Sequence, residues 1–189
     1  MRLFLAVDPD EAARERLDAL RTSLEQAAGE ASSALRWVTA AVAHITLHFL
    51  GEVDRARLER LVAALGSAVP SMPFDVALGA PEVFPVSGPP RVVWMAVERG
   101  RTELAALHRE TGARLEQAGF AVERRPYTPH LTLARVRDRR RAGPLAVRLR
   151  DGHAAPVGWR VDRATLFESD LSGRAPCYRS LHVIGLGSH

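Results

Sequence analysis

The sequence predicts a mixed α and β domain, and two observations carry that prediction. Short apolar runs of period two alternate along the chain with amphipathic stretches of helical period. A single four-residue pattern, His-x-Thr-Leu, also occurs once in each half, both times inside a strand-like segment.

The elements follow in order. Arg2–Val7 reads as a strand. Leu17, Leu20, Leu24 and Ala27 then mark a helix over Pro9–Ala28, with Asp8 expected as its cap and Pro9 in its first turn. His44–Leu50 has period two, with Ile45, Leu47 and Phe49 predicted on one face and His44, Thr46 and His48 on the other. Gly51 ends that strand, and Asp54 is placed to cap a second helix whose buried stripe is Leu58, Leu61, Val62 and Leu65. Phe74–Leu78 and Arg91–Val97 read as strands separated by a loop holding Pro81, Pro85, Gly88, Pro89 and Pro90. A third helix is expected over about 102–118, burying Leu104, Leu107, Thr111 and Leu115, with Gly119 as its stop. Tyr127-Thr128-Pro129 leads into the second motif strand, His130–Leu133. The tail offers strands at about Trp159–Glu168 and Tyr178–Gly185 around a Ser172-Gly173 turn, and Gly143–Gly152 is ambiguous.

Composition removes several classes of chemistry. All 26 basic residues are arginine, since the 189-residue chain contains no lysine. That excludes a Schiff base, a lysyl-adenylate and a phosphate-loop GK[ST] motif. Cys177 is the sole cysteine, so neither a disulfide framework nor a cysteine-rich metal centre is available. The apolar run after Met1 breaks at Asp8-Pro9, too early for an export signal or a membrane span. These features predict a cytoplasmic protein without membrane partners. The net charge of +4 is modest, but Arg135, Arg137, Arg139, Arg140 and Arg141 cluster after the second motif. Such a run is either a solvated loop or an attractor of polyanions, because guanidinium forks match phosphate oxygens.

The paired motifs, His44-Ile45-Thr46-Leu47 and His130-Leu131-Thr132-Leu133, suggest a shared cleft if the halves are related by a pseudo-twofold axis. Two imidazoles and two hydroxyls would converge there. Imidazole serves as acid or base near neutral pH, and threonine hydroxyls can donate to phosphate oxygens as charge builds in the transition state. His44 and His48 sit four apart, but on a strand and without the glutamate of H-E-x-x-H, which argues against a zinc protease site. His48 is expected beside the cleft. His108, His153, His182 and His189 belong to no constellation.

The motifs resemble those of the two-histidine (2H) phosphoesterase superfamily, in its branch of RNA 2',3'-cyclic phosphodiesterases, historically called 2'-5' RNA ligases. The resemblance takes in Arg2–Val7, Arg36-Trp37-Val38, His44–Glu52, Pro90–Trp94, Arg125–Arg135 and Leu166–Ser169, with the stretch from Arg137 to Gly158 outside it. It implies an α+β fold over residues 1–189 as one bilobal domain, two antiparallel sheets flanked by helices about a central cleft. It also implies hydrolysis of RNA 2',3'-cyclic ends to 2'-phosphomonoesters, with His44 as proton donor, His130 as proton acceptor, and Thr46 and Thr132 holding the phosphate. Phe49 and Arg135 are implied as nucleotide contacts, with Arg91 and Tyr127 as further candidates. Strict alternation would turn Phe49 and Arg135 away from their histidines, so a bulge or strand end must re-aim them. No metal or other cofactor is implied. The expected partners of a monomeric enzyme are RNA ends or small cyclic-phosphate nucleotides. Reversible 2'-5' ligation, cyclic-nucleotide hydrolysis and a non-catalytic nucleotide- or RNA-binding module remain alternatives.

Overall fold

The computed structural model describes residues 1–85, 87–140, 149, 156–170 and 176–187. Arg141, the ambiguous segment 143–152 apart from Leu149, His153, the expected Ser172-Gly173 turn and His189 lie outside the described residues.

The described chain runs β1 (Arg2–Val7), α1 (Glu11–Ala28), β2 (Leu35–Trp37), β3 (Ile45–Glu52), α2 (Arg55–Leu65), β4 (Ala68–Val69), β5 (Phe74–Phe84), β6 (Val92–Arg99), α3 (Arg101–Gln117), β7 (His130–Val136), β8 (Gly158–Val161), β9 (Arg163–Asp170) and β10 (Cys177–Leu186). The strands order as β4-β10-β9-β1-β3-β7-β6-β5-β8, with β2 also beside β7. Every neighbouring pair is antiparallel except β10 with β4. The two expected sheets are thus two lobes of one sheet. They join at a single ladder pair, Ile45 opposite Leu131, between the two motif strands.

Leu3, Leu5 and Val7 of β1, Ile45 of β3, Leu131 of β7 and Val93, Met95 and Val97 of β6 lie on one face and are all buried. The helices serve that core in a crossed manner. α1, which follows β1, reaches across to the other lobe, where Arg16 donates to the Gly158 carbonyl at 2.9 Å. α3 follows β6 and packs against β3 and α2. Its buried positions include the expected Leu104, Leu107, Thr111 and Leu115.

Three local expectations are corrected. α1 begins at Glu11, and its cap is Asp10, whose carboxylate accepts from the Ala13 amide at 2.7 Å. Asp8, the expected cap, instead accepts from the Thr165 hydroxyl at 3.1 Å and from Arg14 at 3.3 Å. β5 runs on through Pro81 to Phe84, because β8 pairs only with residues 74–77 and leaves the later half an edge, where a missing amide hydrogen costs no ladder bond. Finally, Trp159–Glu168 is not one strand. The chain breaks at Asp162, so that β8 pairs with β5 in one lobe and β9 with β1 in the other.

Candidate active site

The two motif strands carry the same irregularity. In β3, Leu5 faces His48 while Ala6 faces Thr46, leaving Leu47 as an extra residue. In β7, Val93 faces Ala134 while Trp94 faces Thr132, leaving Leu133 as an extra residue. Each bulge therefore falls on the leucine of His-x-Thr-Leu. A bulge inverts the alternation beyond it. Before Leu47 the open face carries His44 and Thr46; beyond it the same face carries Phe49, opposite Phe4. Before Leu133 it carries His130 and Thr132; beyond it Arg135, opposite Val92. Phe49 and Arg135 occupy equivalent positions in the two halves. Phe49 is 69% exposed, so its ring is open to solvent on this face.

The same inversion corrects the expectation for His48. It is carried to the core face, 3% exposed, where its Nε2–H donates to the His108 carbonyl at 2.9 Å and lies 3.1 Å from the Thr111 hydroxyl. Its Nδ1 is buried without a partner among the described residues. Burial, aided by His108, holds its pKa down at about 4, so this ring is neutral. His48, His108 and Tyr127 form a stack, with ring centroids 4.3 and 4.2 Å apart. Tyr127, a candidate substrate contact, has its hydroxyl donated to the Thr46 carbonyl at 3.2 Å, which ties the approach to β7 onto the backbone of the other motif. Arg91, the other candidate, is exposed just before β6, one position out of step with Val92 and Trp94 on the open face.

His44 and His130 are held alike. The Nδ1–H of each donates to the carbonyl two residues upstream, Val42 at 2.8 Å and Thr128 at 2.9 Å. A carbonyl only accepts, so this bond fixes the proton on Nδ1 and leaves Nε2 to exchange protons with a ligand. Their surroundings differ. His44 is half-buried against Phe4, with centroids 4.8 Å apart, and meets Tyr178 edge-on at 5.3 Å. Burial pushes its pKa below the usual histidine value; the Val42 carbonyl and Asp8 oppose this, and His130 and Arg135 add to it. His130 is exposed, and the edge of Trp94 meets it at 5.6 Å. His130 and the Arg135 guanidinium are thus near enough to bear on the charge of His44.

Sequence reasoning missed the rest of the wall. Burial raises the Tyr178 phenol pKa, while the charges of Arg135, Arg2 and Arg36 pull it back. Arg36 is the cross-strand partner of Arg135. Phe4, Trp94 and Arg36 all stand in stretches that carried the resemblance, but their direction depends on register, which periodicity alone does not give. Among the described residues no three His, Cys, Asp or Glu side chains gather as metal ligands, and none of the helices is long and apolar enough to cross a membrane.

Register sets His44 and Thr46 of one motif, and His130, Thr132 and Arg135 of the other, on the open face of adjoining strands, with the exposed ring of Phe49 on the same side. Known proteins share both the sequence and the fold. Proteins named RNA 2',3'-cyclic phosphodiesterase from Methanothermobacter thermautotrophicus and Archaeoglobus fulgidus are 31% and 33% identical, over 98% and 97% of this chain and 99% of each relative. The crystal structure of TT0787 of Thermus thermophilus superposes with a TM-score of 0.76 at 28% identity, covering the whole of both chains. A family model described as the 2'-5' RNA ligase superfamily matches residues 3–173, and the chain belongs to that superfamily.

Proposed function

We propose that this protein hydrolyses 2',3'-cyclic phosphodiester ends of RNA to 2'-phosphomonoesters, without a metal ion, through His44 and His130. The observation that carries this reading is the matched anchoring of the two rings, each with Nδ1–H committed to a backbone carbonyl and Nε2 turned to the open face. The names of the relatives support the substrate class.

In the proposed reaction a water held at His130 loses a proton to its Nε2 and attacks phosphorus. The bond from phosphorus to the 3' oxygen breaks, and protonated His44 gives its Nε2 proton to that oxygen. The products are a 2'-phosphomonoester and a free 3'-hydroxyl, with one proton moved from His44 to His130 and returned through solvent. Thr46 and Thr132 hold the non-bridging oxygens as they gain charge. Arg135 neutralises the phosphate and Phe49 stacks on the terminal base. Ligation, in which a 5'-hydroxyl replaces water as the nucleophile on the cyclic phosphate and a 2'-5' junction forms as the bond to the 3' oxygen breaks, uses the same groups, and water at its ordinary concentration favours hydrolysis.

Both histidines come from one chain, so the proposed reaction needs no residue from a second copy, and residues 1–189 serve as its working domain. The free, exposed thiol of Cys177 supports a reducing, cytoplasmic setting. The test is incubation of a cyclic-phosphate-ended oligonucleotide with the protein in EDTA. A 2'-phosphomonoester is the expected product. An unchanged substrate that is nonetheless bound would make the protein a binding module, and a strict metal requirement would overturn the mechanism.

A further inference from the structure

One large apolar side chain on the open face is not used by this reaction. Phe84, at the end of β5, is 58% exposed. Register fixes where it points: Phe84 faces Val92 of β6, Val92 faces Arg135 of β7, and Arg135 faces Arg36 of β2. Cross-strand partners project from the same side of a sheet. Arg36, Arg135, Val92 and Phe84 therefore form one straight row across four strands, on the face that bears His130 and Thr132. At about 4.8 Å per strand, Phe84 stands roughly 10 Å from Arg135 in this row. That is too far for a base whose own cyclic phosphate is gripped between the motifs and whose ring lies on Phe49.

From this row, and resting on the function proposed above, we infer that Phe84 is a second stacking platform, which receives the base of the nucleotide preceding the cyclic-phosphate end. The substrate is then a single-stranded RNA of two or more nucleotides. Its terminal phosphate sits at His44 and His130 on one side of the Arg135 guanidinium, its next backbone phosphate lies on the other side, between Arg135 and its cross-strand partner Arg36, and its penultimate base rests on Phe84. Charge and shape agree with this course. Arginines spaced by an apolar residue and an exposed ring are what a single strand meets in non-sequence-specific sites, where phosphates are neutralised and any base can stack. Arg137, Arg139 and Arg140, exposed beyond the end of β7, extend the positive potential in the same quarter. Glu82 also faces this side, opposite Trp94, and its carboxylate keeps the phosphate path on the arginine side of the row.

The experiment compares two substrates, a mononucleoside 2',3'-cyclic phosphate and a short RNA ending in the same group, using wild type, Phe84→Ala and Phe84→Trp. Wild type is expected to prefer the RNA. Phe84→Ala should lose about 5- to 100-fold in kcat/KM on the RNA, the scale of one base stack, with the mononucleotide rate unchanged. Phe84→Trp should retain the preference. Equal loss on both substrates, or no loss on either, would overturn the platform, as would a Phe84→Ala effect confined to self-association in light scattering. Titration with an RNA ending in a 2'-phosphomonoester, which is not consumed, separates the two readings. Binding that weakens with Phe84→Ala in a protein that hydrolyses nothing would refute the reaction and leave the platform standing, whereas binding indifferent to Phe84 would refute the platform alone.

Discussion

Lowering the pH from 7.5 to 5 should destabilise the fold by about 2 kcal/mol through His48 alone. This ring is buried, its Nε2–H is committed to the His108 carbonyl, and its Nδ1 has no partner among the described residues. Its pKa is held at about 4, against 6.5 for a free histidine. Between those two values the unfolded chain binds a proton that the folded chain refuses, so stability rises with pH. The contribution is complete above about pH 6.5 and is lost as the pH falls toward 4. At roughly 1.4 kcal/mol for each tenfold change in proton affinity, the full span is worth about 3 kcal/mol, of which about 2 is gone at pH 5. The assay is urea unfolding at several pH values, comparing wild type with His48→Gln, whose amide can keep the bond to the His108 carbonyl. With a slope near 2 kcal/mol per molar urea, expected for a chain of this size, the wild-type midpoint should fall by about 1 M more than that of the variant. His44 is also depressed by burial, but it is common to both proteins and cancels in the difference; His108, which stacks on His48 and is depressed too, is replaced by glutamine in a second pair of proteins so that its coupling to His48 does not enter. Parallel pH profiles for the two proteins would refute the account of His48 as a buried neutral ring.

Other outcomes follow from the same geometry. His44→Ala and His130→Ala should each lower kcat by about 10²- to 10⁴-fold, the usual worth of general acid or base catalysis, and wild type should show a bell-shaped profile of kcat/KM against pH that each variant reduces to one limb. Phe49→Ala and Arg135→Ala should act mainly by raising KM for cyclic-phosphate substrates, and an unchanged KM would show that the bulges do not aim these side chains at the ligand. Tyr127→Phe deletes the bond to the Thr46 carbonyl, for a loss of about 1 kcal/mol and a fall in Tm of about 2–4 °C, read by calorimetry. Sulfate, an anion that does not itself titrate, should bind at pH 7 with proton uptake that is reduced in His44→Gln, seen as a dependence of the binding heat on the buffer's ionisation enthalpy; uptake unaltered by the substitution would remove His44 as a source.

Periodicity was sufficient for most of the architecture. α2 and α3 have their expected caps or stops, and the motif segments are strands, because these features depend on residues close in the chain. What failed was long-range. Trp159–Glu168 is apolar enough for one strand, and only its partners, β5 on one side and β1 on the other, divide it at Asp162. Asp8 and Asp10 are equally good caps by type; Asp8 is diverted by Thr165, which lies 157 residues away in sequence. The motif histidines and threonines were legible because they precede the bulges, where alternation still holds. His48, Phe49 and Arg135 follow them. A bulge shows itself only in the pairing of a strand with its neighbour, and strict alternation carried past Leu47 and Leu133 puts these three residues on the wrong face.

The bulges also explain how two strands with so similar a sequence serve one site. A phosphate needs its donors within a few ångströms, whereas a nucleotide extends well beyond them. A regular strand offers one face only at every second residue, which would give the sequence His-x-Thr-x-His on β3 and leave Phe49 inside. One extra residue after each threonine keeps the histidine and threonine in step and brings the third position, Phe49 or Arg135, onto the same side. The residue displaced from that face in β3 is His48, and its burial against α3 is the energetic consequence. The His48, His108 and Tyr127 stack absorbs it, and the Tyr127 hydroxyl returns to the Thr46 carbonyl beside the bulge. The buried histidine that titrates in the unfolding experiment is thus the counterpart, on the core face, of the exposed phenylalanine on the open one.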